Sequence, residues 1–149
     1  MTHTSKLVIY TDGGSRGNPG PAALGVVIKD ASGTTIKKYG EALGKKTNNE
    51  AEYEAVIFAL KKIKQIFGGK TIKTMPIEIR TDSQLVAFQL SGEYKIEEEK
   101  LYPLFIKIWN LKMDVGPVRF VHIPREKNRE ADALVNEALD AHKQTSFLS

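Results

Sequence analysis

At 149 residues the chain has the length of one domain, and 41% hydrophobic against 27% charged residues, with a mean hydropathy of −0.30, excludes a wholly disordered or collagen-like chain. With no cysteine it has no disulfide framework, cysteine-bound zinc or thiol catalysis, which suits a reducing, cytoplasmic setting. The net charge of +4 is uneven: residues 1–76 carry 12 Lys/Arg and 6 Asp/Glu, residues 77–149 carry 10 and 12. A basic half points toward a polyanion partner, with ordinary solvation as the bland alternative.

The opening MTHTSKLVIYTD has one Lys and a short apolar run, so it does not read as a secretory leader, and no apolar run reaches membrane-spanning length. Lys6–Thr11 reads as a first strand, Ala22–Lys29 as a second and Thr34–Leu43 as a third, with a turn at Asp30–Gly33, together an antiparallel meander. Between the first two strands, Asp12–Gly20 is rich in turn formers. It could cradle phosphate, but it lacks the Lys-Ser/Thr of a P-loop and leads into a strand rather than a helix.

Thr47-Asn-Asn-Glu50 has the form of a capping box. Tyr53, Val56, Ile57, Leu60, Ile63 and Phe67 then recur at helical spacing, and Gly68-Gly69 ends the run. Ile77–Thr81 reads as a fourth strand, and Ser83 caps a short helix to about Leu90. Glu97–Met113 reads as a further helical stretch, Val118–Ile123 as a fifth strand, Pro124–Asn128 as a polar loop, and Arg129 to His142 as the last helix. This order predicts one α/β domain over residues 1–149, a mixed sheet with helices on both faces.

Two strands end alike, in Thr-Asp12 and Thr-Asp82. A helix-containing crossover between them predicts a parallel return, and if the two strands are neighbours their carboxyl ends lie side by side, about 4.8 Å apart. Carboxylates that close require a proton or a cation, and hard divalent ions take oxygen ligands. Glu50, Glu52 and Glu54 alternate along the first long helix, and spacing does not choose among them. Asp132, in the first turn of the last helix, reads by itself as a helix-dipole partner.

Asp12-Gly-Gly-Ser-Arg-Gly-Asn-Pro-Gly-Pro, Thr47-Asn-Asn-Glu-Ala-Glu52, Thr81-Asp-Ser-Gln84 and Asn128-Arg-Glu-Ala-Asp132-Ala-Leu occur in the order seen in type 1 ribonuclease H, and the chain resembles that family from Lys6 to about Ala141. The resemblance implies a five-stranded mixed sheet flanked by helices. It selects Glu52 from the three glutamates and adds Asp132. It implies an endonuclease that cuts the RNA strand of an RNA–DNA hybrid to 5′-phosphate and 3′-hydroxyl ends. Asp12, Glu52, Asp82 and Asp132 would hold two Mg²⁺ ions, or Mn²⁺, about 3.5–4 Å apart when substrate is bound. It also implies minor-groove contacts from the Gly13 backbone and the Asn18, Asn48, Asn49 and Gln84 side chains. Arg16, Lys37, Lys38, Lys45 and Lys46 are candidates for phosphate contact.

The chain departs from the best-known bacterial pattern twice. The Gly-His-x-Gly loop before the last acid is replaced by the shorter Pro124-Arg-Glu-Lys-Asn128, similar to the archaeal-type branch. That makes Arg125 the expected cation near the scissile phosphate, with His122 as the rival. The basic, tryptophan-bearing protrusion is replaced by the acidic Ser91–Lys100. The expectation is a monomer with no separate hybrid-binding domain. Competing readings are the same fold acting on double-stranded RNA or DNA, and a non-catalytic nucleic-acid-binding module.

Overall fold

A computed structural model of the chain describes residues 5–148. Strands β1 (Leu7–Ser15), β2 (Gly20–Asp30) and β3 (Thr35–Lys46) form the meander. They are followed by α1 (Asn48–Phe67), α2 (Gly69–Ile72), β4 (Ile77–Thr81), α3 (Gln84–Leu90), α4 (Tyr102–Met113), β5 (Val118–His122) and α5 (Arg129–Leu148). The sheet order is β3-β2-β1-β4-β5. β1 pairs antiparallel with β2 and parallel with β4, so the two aspartate-bearing strands run parallel as expected and the structure makes them neighbours.

One face of the sheet buries the larger core. Leu7 and Ile9 of β1, Val26 and Ile28 of β2, and Ile77 and Ile79 of β4 pack against Tyr53, Val56, Leu60 and Ile63 of α1, with Ile108 of α4 behind them. The opposite face is covered by α5 through Val135 and Leu139 on Ala23. Helices therefore lie on both faces, as the element order predicts. Among the described residues no helix is long and apolar enough to cross a membrane.

Several boundaries differ from the sequence expectation. β1 continues through Asp12 to Ser15, because Gly13, Gly14 and Ser15 stay paired with β2 in spite of their turn-forming character. The connection to β2 is thereby cut to four residues, 16–19. The stretch expected to be helical from Glu97 enters α4 only at Tyr102, after a 3₁₀ turn at Glu99–Leu101, with Pro103 in the first turn of α4 where a missing N–H costs nothing. The polar loop after β5 holds a 3₁₀ turn at Arg125–Lys127, and α5 runs to Leu148 rather than His142. Gly68 ends α1 as expected, but the short α2 follows at once.

Candidate active site

β1 and β4 run side by side only as far as Tyr10 and Arg80. Beyond that point β1 keeps its pairing with β2 alone, and the chain leaves β4 after Thr81. Asp12 and Asp82 thus stand at the opening where the parallel pair parts, the carboxyl end of the sheet at which open α/β folds bind ligands.

Glycines on β1 and β2 let two helices sit down at this opening. A Cβ on Gly13 would lie 2.3 Å from the carbonyl group of Ala51 and 2.5 Å from the Glu52 nitrogen, so α1 rests directly on β1. On the other face, Gly25 is the register partner of Asp12, and a Cβ there would lie 2.2 Å from the Ala131 oxygen. α5 therefore approaches the sheet next to Asp12, carrying Asp132 with it.

The three alternating glutamates are separated by their surroundings. Glu50 closes the capping box: its backbone N–H donates to Thr47 Oγ1, and its side chain accepts from the Thr47 N–H. Glu54 pairs with Lys46 at 3.7 Å. Glu52 is buried against β1, where the Gly13 N–H donates to its Oε1 at 2.8 Å.

Carboxylate oxygens of Asp12, Glu52 and Asp82 lie within 4.8 Å of one another. Asp12 is 7% exposed and Glu52 9%. Burial, followed by the charges of Asp82 and Asp132, pushes the Asp12 carboxyl from 3.8 up to about 8. Burial and the charges of Asp12 and Asp82 raise Glu52 well above the usual carboxylate range, and burial raises Asp82. Asp132 stands outside the tight trio, exposed at the rim of the same cleft, near enough for its carboxylate to help raise the Asp12 carboxyl. Its own backbone N–H donates to the Asn128 carbonyl at 3.1 Å, in the first turn of α5. An all-carboxylate set at this separation fits hard, oxygen-seeking divalent cations and does not fit soft metals. Carboxyls raised by their own burial and mutual repulsion are a set whose charge a bound divalent cation would offset.

Arg125 lines the cleft, and its positive charge acts to lower both Asp82 and Glu52. His122, its rival, is exposed at the end of β5. It turns its ring to Phe88, centroids 6.4 Å apart, and is not among the residues lining the cleft.

Asn128 is a residue whose part sequence reasoning missed. It was visible only as one letter of the last motif, and its spacing carried no signal. It is 1% exposed, and its Nδ2 donates to the Thr11 carbonyl at 2.9 Å across 117 residues of chain. Its side chain also lies near enough to Asp82 to lower that carboxyl, while its backbone carbonyl accepts from the Asp132 N–H. It therefore touches the segments that bear three of the four acids.

The expected groove contacts are tied into the protein. Asn48 N–H donates to Asn18 Oδ1 at 3.0 Å, and Asn48 Oδ1 accepts from Ser15 N and Oγ at 2.9 and 3.1 Å. Asn49 Nδ2 donates to Glu98 at 2.6 Å, and Gln84 Nε2 donates to the Tyr94 hydroxyl at 3.3 Å. The Gly13 backbone, expected at the groove, has its N–H taken by Glu52. Of the basic candidates, Arg16 pairs with Asp140 at 2.7 Å, Lys38 with Glu130 at 3.4 Å and Lys46 with Glu54, whereas Lys37 and Lys45 are exposed on β3.

A family model described as "Reverse transcriptase-like" matches residues 10–138. The chain is 42% identical over 131 residues to the ribonuclease HI of Halobacterium salinarum, covering 88% of this chain and 63% of that protein. The crystal structure of the halobacterial RNase H1 superposes with a TM-score of 0.82 at 40% identity, covering 91% of this chain and 98% of that one. LC11-RNase H1, isolated from compost, in complex with an RNA/DNA hybrid superposes with a TM-score of 0.88 at 50% identity, covering 92% and 99% of the two chains. A bifunctional protein of Mycobacterium tuberculosis is 36% identical over 142 residues, 95% of this chain. The chain spans 63% of the halobacterial protein's length and 37% of the mycobacterial protein's.

Proposed function

The chain belongs to the type 1 ribonuclease H family, and on that premise we propose that it is a metal-dependent endonuclease hydrolysing the RNA strand of RNA–DNA hybrids to 5′-phosphate and 3′-hydroxyl products. The observation that carries this reading is the cluster of buried Asp12 and Glu52 with half-buried Asp82, their oxygens within 4.8 Å of one another and Asp132 at the rim. A relative with 50% identity that is described in complex with an RNA/DNA hybrid supports the substrate class.

Asp12, Glu52, Asp82 and Asp132 are the residues that would hold the divalent ions, two Mg²⁺ (or Mn²⁺) with substrate present. Ions bound there supply charge neutralisation for an in-line displacement and a nucleophile usable at neutral pH. The protein contributes the rest. The Gly13 N–H orients Glu52, and Asn128 ties the end of β1 at Thr11 to the first turn of α5. Arg125 brings a positive charge to the side of the cleft where the scissile phosphate lies. Asn18, Asn48, Asn49 and Gln84 read the minor groove, where side-chain amides suit base edges and 2′-hydroxyls.

The test is cleavage of matched hybrid, double-stranded RNA, double-stranded DNA and single strands in Mg²⁺ or Mn²⁺. Cutting confined to the RNA strand of the hybrid is expected. Equal cutting of double-stranded RNA would overturn the substrate class, and inertness in both metals would favour a binding module. For the cation, Arg125→Ala is expected to lower kcat by about 10–100-fold, as removal of a supporting group at a metal site does, with His122→Ala near wild type. The reverse result would move the role to His122.

A further inference from the structure

Asn49 lies in the first turn of α1, half-buried, and its Nδ2 donates to Glu98 Oε1 at 2.6 Å. A carboxylate cannot donate, so this bond sets which way round the amide sits: its N–H₂ toward Glu98 and its Oδ1 away. The two neighbouring asparagines are held in the opposite sense. Asn18 and Asn48 each accept a hydrogen bond at Oδ1 from within the protein, which leaves their N–H₂ groups to face outward. Of the three, Asn49 alone keeps its carbonyl for an outside partner. Glu98 is anchored for this task, because its own carbonyl accepts from the N–H of Leu101, a residue fully buried in the core.

We propose that Glu98 is a positioning residue that turns the Asn49 amide so that its carbonyl oxygen accepts a hydrogen bond from a donor in the minor groove of the hybrid. The inference rests on the hybrid-nuclease reading and on Asn49 as a groove contact. Most groups on that surface are acceptors. The donors are the guanine 2-amino group and, on the RNA strand only, the ribose 2′-hydroxyl. An acceptor in this place rewards RNA or guanine, and a donor in the same place would reward every base.

Charge alone argues for the opposite effect. Glu98 sits in the exposed run Glu97-Glu98-Glu99 beside a polyanion site, so a purely electrostatic role would make its removal tighten binding. The sign of the change therefore separates the two roles.

The experiment measures KM, kcat and hybrid affinity in chelator for Glu98→Ala, Glu98→Gln, Asn49→Ala and the double alanine variant. Glu98→Ala is expected to raise KM about five-fold, the worth of one hydrogen bond, with little change in kcat. Glu98→Gln, which still offers a carbonyl acceptor to Asn49, should restore most of the loss. The double variant should be no worse than Asn49→Ala alone. In the substrate, inosine for guanine removes one donor and 2′-fluoro for 2′-hydroxyl removes the other. One of these should weaken the wild type by the same factor and leave Asn49→Ala unaffected. A KM that falls in Glu98→Ala overturns the proposal in favour of simple repulsion, and an unchanged KM overturns it outright. If Asn49→Ala binds hybrid as tightly as wild type, the groove contact itself is wrong and the proposal falls with it. If the wild type cuts no hybrid, the failure lies one level lower, in the nuclease reading.

Discussion

Asp12 is where function and stability pull apart. Its carboxyl titrates at about 8 in the folded chain against 3.8 for the free side chain, because it is buried and faces Asp82 and Asp132. The folded state thus holds a proton that the unfolded chain releases. The stability this contributes is complete below about pH 4 and disappears as pH rises through about 8. Glu52 and Asp82 shift in the same direction. Glu78, Glu50 and Glu130 shift downward and contribute the reverse dependence, so the clean observable is a difference between variants. Metal-free Asp12→Asn is expected to melt above the metal-free wild type at pH 8, by roughly 2–8 °C, with the gap closing toward pH 4. Adding Mg²⁺ or Mn²⁺ should raise the wild-type melting temperature and leave the variant almost unmoved. Calorimetry over pH with and without chelator reads both, and the variant should be inactive. Asn128→Ala removes the link between Thr11, Asp82 and α5. It should weaken metal affinity or activity about 10–100-fold, the usual cost of losing a group that orients metal ligands. Isothermal titration with Mn²⁺ measures it.

At the scale of elements, the site is made by how closely two helices approach one sheet. Gly13 admits α1, and Gly25 admits α5 beside the register partner Asp12. A methyl group at Gly25 meets the backbone oxygen of Ala131, which cannot swing aside as a side-chain tip could. Gly25→Ala should therefore cost about 1–3 kcal/mol by overpacking. It should also lift Asp132 from Asp12, lowering activity beyond what the stability loss explains. Denaturant melts set beside kcat at a temperature where the variant stays folded separate the two effects. Close helix packing also accounts for the turn-like composition of Asp12-Gly-Gly-Ser-Arg-Gly at the end of a strand. Its glycines look like turn formers, yet Gly13 and Gly14 are extended residues of β1, and Gly13 has no side chain because α1 occupies the space.

For the molecule as a whole, charge sets how the polyanion is drawn in. The basic half of the sequence includes β3, but its lysines are not equivalent. Lys38 and Lys46 face carboxylates at 3.4 and 3.7 Å, whereas Lys45 is exposed. Hybrid affinity should fall linearly with salt on logarithmic axes. If Lys45 reaches a phosphate, Lys45→Ala lowers the slope by about 1. Lys46→Ala should lower it less, because that side chain already has a partner. Titrations by fluorescence anisotropy over a range of KCl concentrations measure the slopes, and equal slopes for the two variants would show that the existing ion pair is irrelevant.

Read alone, the amino-acid order determined the main strands and helices and the parallel sense of β4 relative to β1, since apolar periodicity, the Thr47–Glu50 capping box and the crossover rule are local or topological facts. That β1 and β4 are neighbours, which brings Asp12 and Asp82 to one edge, was decided in the sheet. The amino-acid order did not choose Glu52 from its neighbours without a family resemblance, because residues two apart on a helix differ only in what their faces meet. That choice was made in space: Glu50 turned back to its cap, Glu54 out to Lys46, and Glu52 in to the Gly13 N–H. Asn128 and the Glu98–Asn49 bond likewise belong to tertiary structure alone. Each joins segments distant in the chain, and a hydrogen bond across such a gap leaves no periodicity for a sequence to display.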